Sequence, residues 1–394
     1  MTVNDMVARQ MRIERQEASH CQQVSFDRDA ANVFQHYVHD TLAFSIKRGG
    51  FLYGEVREDG HVLVDFIYEP PQHGTEHTLQ IFTNEAEERA VAAIAAGLGM
   101  RCVGFIVTQT LAEDEKAQEH SFTLSASDVL LAARFHCATA IDSSGGKAGE
   151  GGEGGEGNGE RRGEGERDGG GGGKEGEKEG EKGGEPFKDF AVVLVKLLVD
   201  EEGEGGGDVH FEAFQLSDQC LKLYREGWFA GDGRDEGEGA EGGKQDPGAG
   251  GGRDKGKGKV GEKEGKGKNA EEKEEEDDPK VSRMRKQVVV AGRDTYEVDN
   301  DFFLMPVKIV DHQGPLSTSF PVENRIILPT QNDLKQHLER SRSKAWADRL
   351  ADFHLLLYLS NFLDASTDMP MLAQAVRTKE PISEGHQLII EHLA

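Results

Sequence analysis

Apolar residues recur at Ala30, Val33, Phe34, Tyr37, Val38, Leu42 and Phe44. That spacing is close to a helical period and predicts a helix over 27–47, with Ser25 or Asp27 as N-cap and Gly49 as the stop. The period then switches to two. Residues 51–56 and 61–68 alternate apolar and polar positions around Glu58-Asp59-Gly60, which reads as a hairpin, and Pro70-Pro71 ends its second strand. A helix over 85–96 carries Val91, Ile94 and Ala95 on one face and stops at Gly97; a strand over 102–108 and a helix over 125–136 follow.

Further along, 190–199 (FAVVLVKLLV) and 209–215 (VHFEAFQ) are rich in strand formers and flank the acidic, glycine-rich 200–208, so they predict a hairpin with an enlarged turn. The helix over 217–226 carries Cys220, Leu221, Leu223 and Tyr224. Residues 281–310 are again β-rich, with strands over 288–290 and 302–309. The remainder is predicted helical over 331–340, 345–363 and 369–377. His354, inside the apolar run of the middle helix, reads as a satisfied core histidine. The order of elements predicts an α/β fold, a mixed sheet with flanking helices, followed by a mainly helical α+β unit.

Two stretches have no period at all. Residues 144–186 and 230–279 consist largely of Gly, Glu, Lys and Arg, and together with 203–207 they hold most of the 51 glycines. Such composition cannot bury enough apolar surface to offset the entropy of ordering, so both are expected to be disordered inserts in loops of a continuing fold. The remainder is long enough for one or two sizeable cores. With 46 Lys and Arg against 73 Asp and Glu, the formal charge is −27. That balance argues against a nucleic-acid partner or an anionic membrane surface. No apolar run reaches the length of a membrane span, and the first residues lack a signal-peptide core. Cys21, Cys102, Cys137 and Cys220 are isolated and form neither a CxxC pair nor a disulfide framework.

Catalytic templates fit poorly. No GxxxxGK[ST], no GxGxxG between strand and helix, and no GxSxG elbow occurs. His73 and His77 have the spacing of a metal pair, but a Pro-Pro and a glycine place them in a loop. His20-Cys21 and His136-Cys137 are sequence neighbours whose side chains point apart.

Several strings are more specific: FLYGEV (51–56), FIYEPPQHGTEH (66–77), GLGMRCVGFIVTQT (97–110), VHFEAFQLSDQCLKL (209–223), FPVENR (320–325) and DFHLLLYL (352–359). In this order they resemble the nuclear protein localisation protein 4 family, most closely its plant-type branch, along the whole chain apart from the inserts. The resemblance implies an N-terminal segment over 1–24, an MPN domain over 25–229 containing the insert 144–186, a linker over 230–279 and the family's C-terminal domain over 280–394.

It also implies a substrate-recruiting role. Members work with ubiquitin fusion degradation protein 1 and bring polyubiquitinated clients, including misfolded endoplasmic-reticulum proteins, to the AAA ATPase valosin-containing protein. Cytoplasm and nucleus, with peripheral association at the endoplasmic reticulum, are the implied locations. The opening MTVNDMVARQMRIER looks like the segment after the family's ubiquitin-like domain, so direct ATPase contact is expected to be weakened. The scattered cysteines provide no zinc finger. The alternative is a scaffold subunit of a larger regulatory complex, but FPVENR and DFHLLLYL favour the adaptor, since scaffold MPN subunits have no such domain.

Catalytic MPN proteins resemble one another in a GxxHxH segment followed by SxxD, which holds a water-activating zinc. Setting its glycine on Gly104 puts Val107 and Gln109 at the histidine positions, while Ser125 and Asp128 form an SxxD that starts sixteen residues beyond Gln109, farther than the catalytic spacing. Valine cannot ligate a metal and an amide is a poor zinc ligand. Hence no catalytic residue, no metal and no cofactor is expected. The candidate partner contact is the rigid turn with Tyr68, Pro70, Pro71, Gln72, Gly74 and Thr75.

Overall fold

A computed structural model of the chain describes residues 10–111, 124–144, 188–198, 207–232 and 279–394. It has a mixed α/β fold. Twelve strands are present among the described residues: β1 (Arg12–Ile13), β2 (Gln23–Asp27), β3 (Gly49–Val56), β4 (His61–Tyr68), β5 (Gln72–Gly74), β6 (Leu79–Ile81), β7 (Arg101–Thr108), β8 (Ala191–Leu198), β9 (Asp208–Leu216), β10 (Val281–Val290), β11 (Arg293–Asp299) and β12 (Leu304–His312). The helices are α1 (Arg28–His36), α2 (Glu85–Leu98), α3 (Ala126–Ser144), α4 (Asp218–Arg225), α5 (Gln331–Arg340), α6 (Trp346–Arg349), α7 (Phe353–Leu359), α8 (Asp368–Thr378) and α9 (Glu384–Leu393).

Seven strands close into a barrel in the order β12-β2-β4-β3-β7-β8-β9. Strand β12 closes it, pairing parallel to β2 and antiparallel to β9, with Leu304 opposite Leu216. Closure leaves none of the seven with a free edge. The uninterrupted apolar run of β8 has its explanation here. Ala191, Val193 and Val195 pack with α1, while Val192 and Leu194 pack with α3 and α4, so both faces are buried. A third cluster joins Phe66 and Tyr68 of β4 to α2 and to the helices after residue 330. Strand β3 has a bulge between Tyr53 and Gly54, and a Cβ at Gly54 would lie 1.9 Å from the Leu63 carbonyl oxygen. Only glycine allows that approach.

Several elements differ from the sequence pattern. The helix predicted over 27–47 begins as expected, Asp27 accepting the Ala30 N–H at 2.9 Å, but ends at His36. A π-turn over Tyr37–Thr41 follows, then Ala43 and Phe44 at positive φ, which no helix tolerates. Helix α2 runs through Gly97 and stops at Gly99, whose φ is +79°. Gly97 is instead a packing residue: a Cβ there would lie 2.7 Å from that of Ala373 in α8. The helix predicted over 345–363 is split into α6 and α7. Between them Asp352 turns inward, accepting the His354 and Leu355 N–H groups through one oxygen and those of Ser319 and Phe320 through the other. The loop predicted around His73 is the small hairpin β5–β6. Insert 144–186 lies almost wholly outside the described residues, and 230–279 does so except at its ends. There Asp232 receives Arg285 at 2.6 Å, and the Pro279 carbonyl accepts the Ala126 N–H at 2.7 Å.

Candidate partner-binding site

Strings that the sequence marks as specific meet around residues 47–49, where β3 begins. Consecutive side chains there point to opposite sides. Lys47 reaches Asp128 at the start of α3, its Nζ 2.8 Å from Oδ2, and both side chains are almost fully buried. Ser125 donates to the same carboxylate oxygen at 2.6 Å, while its Oγ accepts the Asp128 N–H at 3.2 Å. The SxxD segment therefore caps α3. Val107 is fully buried in the apolar cluster with Leu124 and Val129, and Gln109 is buried beside it on the chain.

The turn with Tyr68, Pro70, Pro71, Gln72, Gly74 and Thr75 braces this strand. Tyr68 is buried, its hydroxyl donating to Glu87 Oε1 at 2.8 Å, and Pro70 is buried too. Gln72 clamps Gly49 through both backbone groups: its Oε1 accepts the Gly49 N–H and its Nε2 donates to the Gly49 carbonyl, each at 2.8 Å. Thr75 accepts the Lys47 N–H at 2.8 Å through its carbonyl, and Gly74 passes so close that a Cβ would lie 1.9 Å from the Lys47 oxygen. Among the named residues of this turn, Thr75 is the exposed one; Pro71, Gln72 and Gly74 are half-buried. His73 and His77 are both exposed, with His77 beside Glu76. Of the other histidine neighbours, His20 pairs with Asp218 and His136 stacks on Phe190, each away from its adjacent cysteine. Burial pushes the Cys102 thiol up to about 12.

On the opposite side of the strand, Arg48 donates to Glu69 through Nε at 2.7 Å, and Arg325 of FPVENR donates to the other Glu69 oxygen through Nη2 at 2.5 Å. Burial alone would raise the Glu69 carboxyl, but the two guanidiniums outweigh it and hold the pKa below the usual carboxylate range. Arg325 also lies over the Tyr37 ring, 4.2 Å from its centroid. Asn324, at a φ of +55°, donates to the Glu69 carbonyl and to Glu87. Glu323 accepts the Glu69 N–H and pairs with the buried His354 at 2.7 Å. One side of β3–β4 is thus bolted to the 320–325 segment by charge-assisted bonds.

Directly after Arg325 the chain turns outward. Ile326, Ile327 and Leu328 are 73%, 82% and 60% exposed. Leu328 and Pro329 border a cleft of about 400 Å³ lined also by Ala86, Glu87, Ala90, Glu323, His354, Leu357 and Tyr358. Sequence reasoning missed Lys47, Arg48 and Glu69 as a connected set, and missed this run. The signal for the latter was three consecutive large apolar residues, bounded by Arg325 and Pro329, that fit neither a helical nor a strand period. Among the described residues no group of three His, Cys, Asp or Glu side chains is placed to hold a metal, and no helix is long and apolar enough to cross a membrane.

A closed seven-stranded barrel, a buried carboxylate paired with two guanidiniums and an exposed apolar run after Arg325 characterise this mixed α/β fold. Comparison with known proteins gives the family. The family description "NPL4 family" matches residues 48–151. The chain is 43% identical along its whole length to NPL4-like protein 2 of Arabidopsis thaliana, covering 73% of that protein, and 40% identical to the NPL4-like protein of Oryza sativa subsp. japonica, covering 74% of it. It is 25% identical to the human nuclear protein localization protein 4 homolog over 93% of this chain and 53% of that protein. The chain belongs to the NPL4 family.

Proposed function

We propose that the chain is a non-catalytic ubiquitin-pathway adaptor built from an MPN unit over 25–229 and a C-terminal unit over 280–394. In this reading it engages polyubiquitin or ubiquitinated clients, works with ubiquitin fusion degradation protein 1, and presents clients to the AAA ATPase valosin-containing protein. Its work lies in the cytoplasm and nucleus and at the surface of the endoplasmic reticulum.

The observation that carries the reading is the exposed Ile326-Ile327-Leu328 run. Three adjacent large apolar side chains in water are unfavourable unless a partner covers them, and anchors of this kind dominate binding energy. Their loop is held by Arg325 on Glu69 and by Asn324 on Glu87, so little entropy remains to be lost on binding. The non-catalytic part rests on Val107 and Gln109, neither of which supplies an imidazole.

The test is a set of pull-downs with tetra-ubiquitin, the partner protein and the ATPase, each alone and together, followed by incubation with tetra-ubiquitin. Retention of tetra-ubiquitin or the partner, with ubiquitin chains left intact, is expected. Chelator-sensitive cleavage, or failure to retain either, contradicts the proposal.

A further inference from the structure

We infer that the Lys47 ammonium is a built-in cation standing in for the charge of a metal, and that Lys47, beyond the loss of two histidines, closes this position to metal. The residues present do not fit zinc. Where GxxHxH followed by SxxD would supply two imidazoles and a carboxylate, the chain supplies Val107, Gln109 and Asp128. Only the carboxylate survives, and a lone buried carboxylate is costly unless a cation compensates it. Lys47 provides that cation: Nζ lies 2.8 Å from Asp128 Oδ2, with the lysine side chain entirely buried.

Among the described residues, Ser125 also donates to that oxygen, at 2.6 Å. An ammonium has three donors and no lone pair, so it cannot join a metal's ligand set while charged. A divalent ion at hydrogen-bond distance from Asp128 would also sit beside a like charge in a poorly screened interior. The backbone from which Lys47 reaches is fixed: its N–H donates to the Thr75 carbonyl at 2.8 Å, and Gly74 packs against its carbonyl. The β5–β6 hairpin and the turn after β5 therefore set the point from which the ammonium extends to Asp128. The position has exchanged an exchangeable ion for a covalently tethered one.

The experiment compares the full chain as wild type, as V107H/Q109H and as K47A/V107H/Q109H. Co²⁺ is titrated, followed by the visible absorption of the bound ion and by metal content after dialysis. The wild type and the double variant are expected to keep almost no metal, and the triple variant to keep close to one equivalent. One equivalent in the double variant overturns the proposal, because Lys47 would then not exclude metal. An empty triple variant overturns it equally. Should the histidine variants fail to fold, the melting temperatures of K47A, D128N and K47A/D128N decide. The combined loss is expected to be much smaller than the sum of the two single losses. Additive losses mean that the ammonium does not neutralise Asp128, and the inference fails.

Discussion

Phe66 in β4 and Phe353 in α7 stack nearly parallel, with ring centroids 3.8 Å apart and planes 13° from each other. Tyr53 continues the stack on the far side of Phe66 at 5.0 Å. This ladder joins the barrel wall to the helices after residue 330 inside one apolar cluster. F353A is therefore expected to cost about 3–5 kcal/mol, the usual range for a fully buried Phe→Ala change. Because both regions share the cluster, a single cooperative transition should persist at a lower midpoint in urea. Two separate transitions would show that the regions unfold independently.

Glu69 sets an acid limit on stability. Its folded pKa lies below the ordinary value because Arg325 and Arg48 outweigh the effect of burial. A depressed carboxylate contributes stability above its unfolded pKa and loses it as pH falls through the folded value. E69Q should flatten this acid limb while lowering stability at neutral pH by about 3–5 kcal/mol, since two buried guanidiniums lose their partner. Urea midpoints of both proteins across the acid range measure this.

His354 acts at the other end of the scale. Burial opposes its protonation, but Glu323 outweighs burial, with Asp352 adding to it and Arg325 opposing, so the imidazole pKa is raised. A raised histidine contributes stability fully below its unfolded pKa of about 6.5 and loses it as pH climbs through the folded value. Melting temperatures should accordingly fall as pH rises above about 6.5, and E323Q should abolish that fall. An unchanged alkaline slope in E323Q means that the pair does not set it.

Much of this was legible in the sequence, and the misses have physical causes. Strands β3, β4, β7, β8 and β9 follow from alternation or from apolar runs, and α4 and α5 lie within the helical ranges predicted over 217–226 and 331–340. Period alone could not show that Asp352 turns inward to bind Ser319 and Phe320, because that bond spans a loop, so α6 and α7 merged into one prediction. Neither could it show β2, whose five residues lie where a helix cap was expected, nor the helical α9. At the site, the absence of imidazoles at Val107 and Gln109 follows from the sequence once the pattern of catalytic MPN proteins, which the resemblance implies, is set on Gly104. Lys47 was not legible, because a lysine followed by an arginine and two glycines carries no local signal; its role depends on Asp128, 81 positions away.

The inserts offer a composition-based prediction. Removing 145–185 and 237–275, while keeping Asp232 and Pro279 with their contacts, should leave the melting temperature within a few degrees. Loop closure depends only weakly on length, about 0.6 kcal/mol per doubling. A cooperative collapse of stability, seen by calorimetry, would mean that these residues pack.

The central claim is that this chain binds its partners through the run after Arg325. Isothermal titration calorimetry of tetra-ubiquitin, with and without ubiquitin fusion degradation protein 1, into the wild type and into I326S/I327S/L328S tests it most directly. The account predicts measurable binding by the wild type and at least a tenfold loss in the variant, about 1.4 kcal/mol or more, with the melting temperature unchanged because these side chains are exposed. Equal binding by the two proteins, or none by the wild type under either condition, would contradict it.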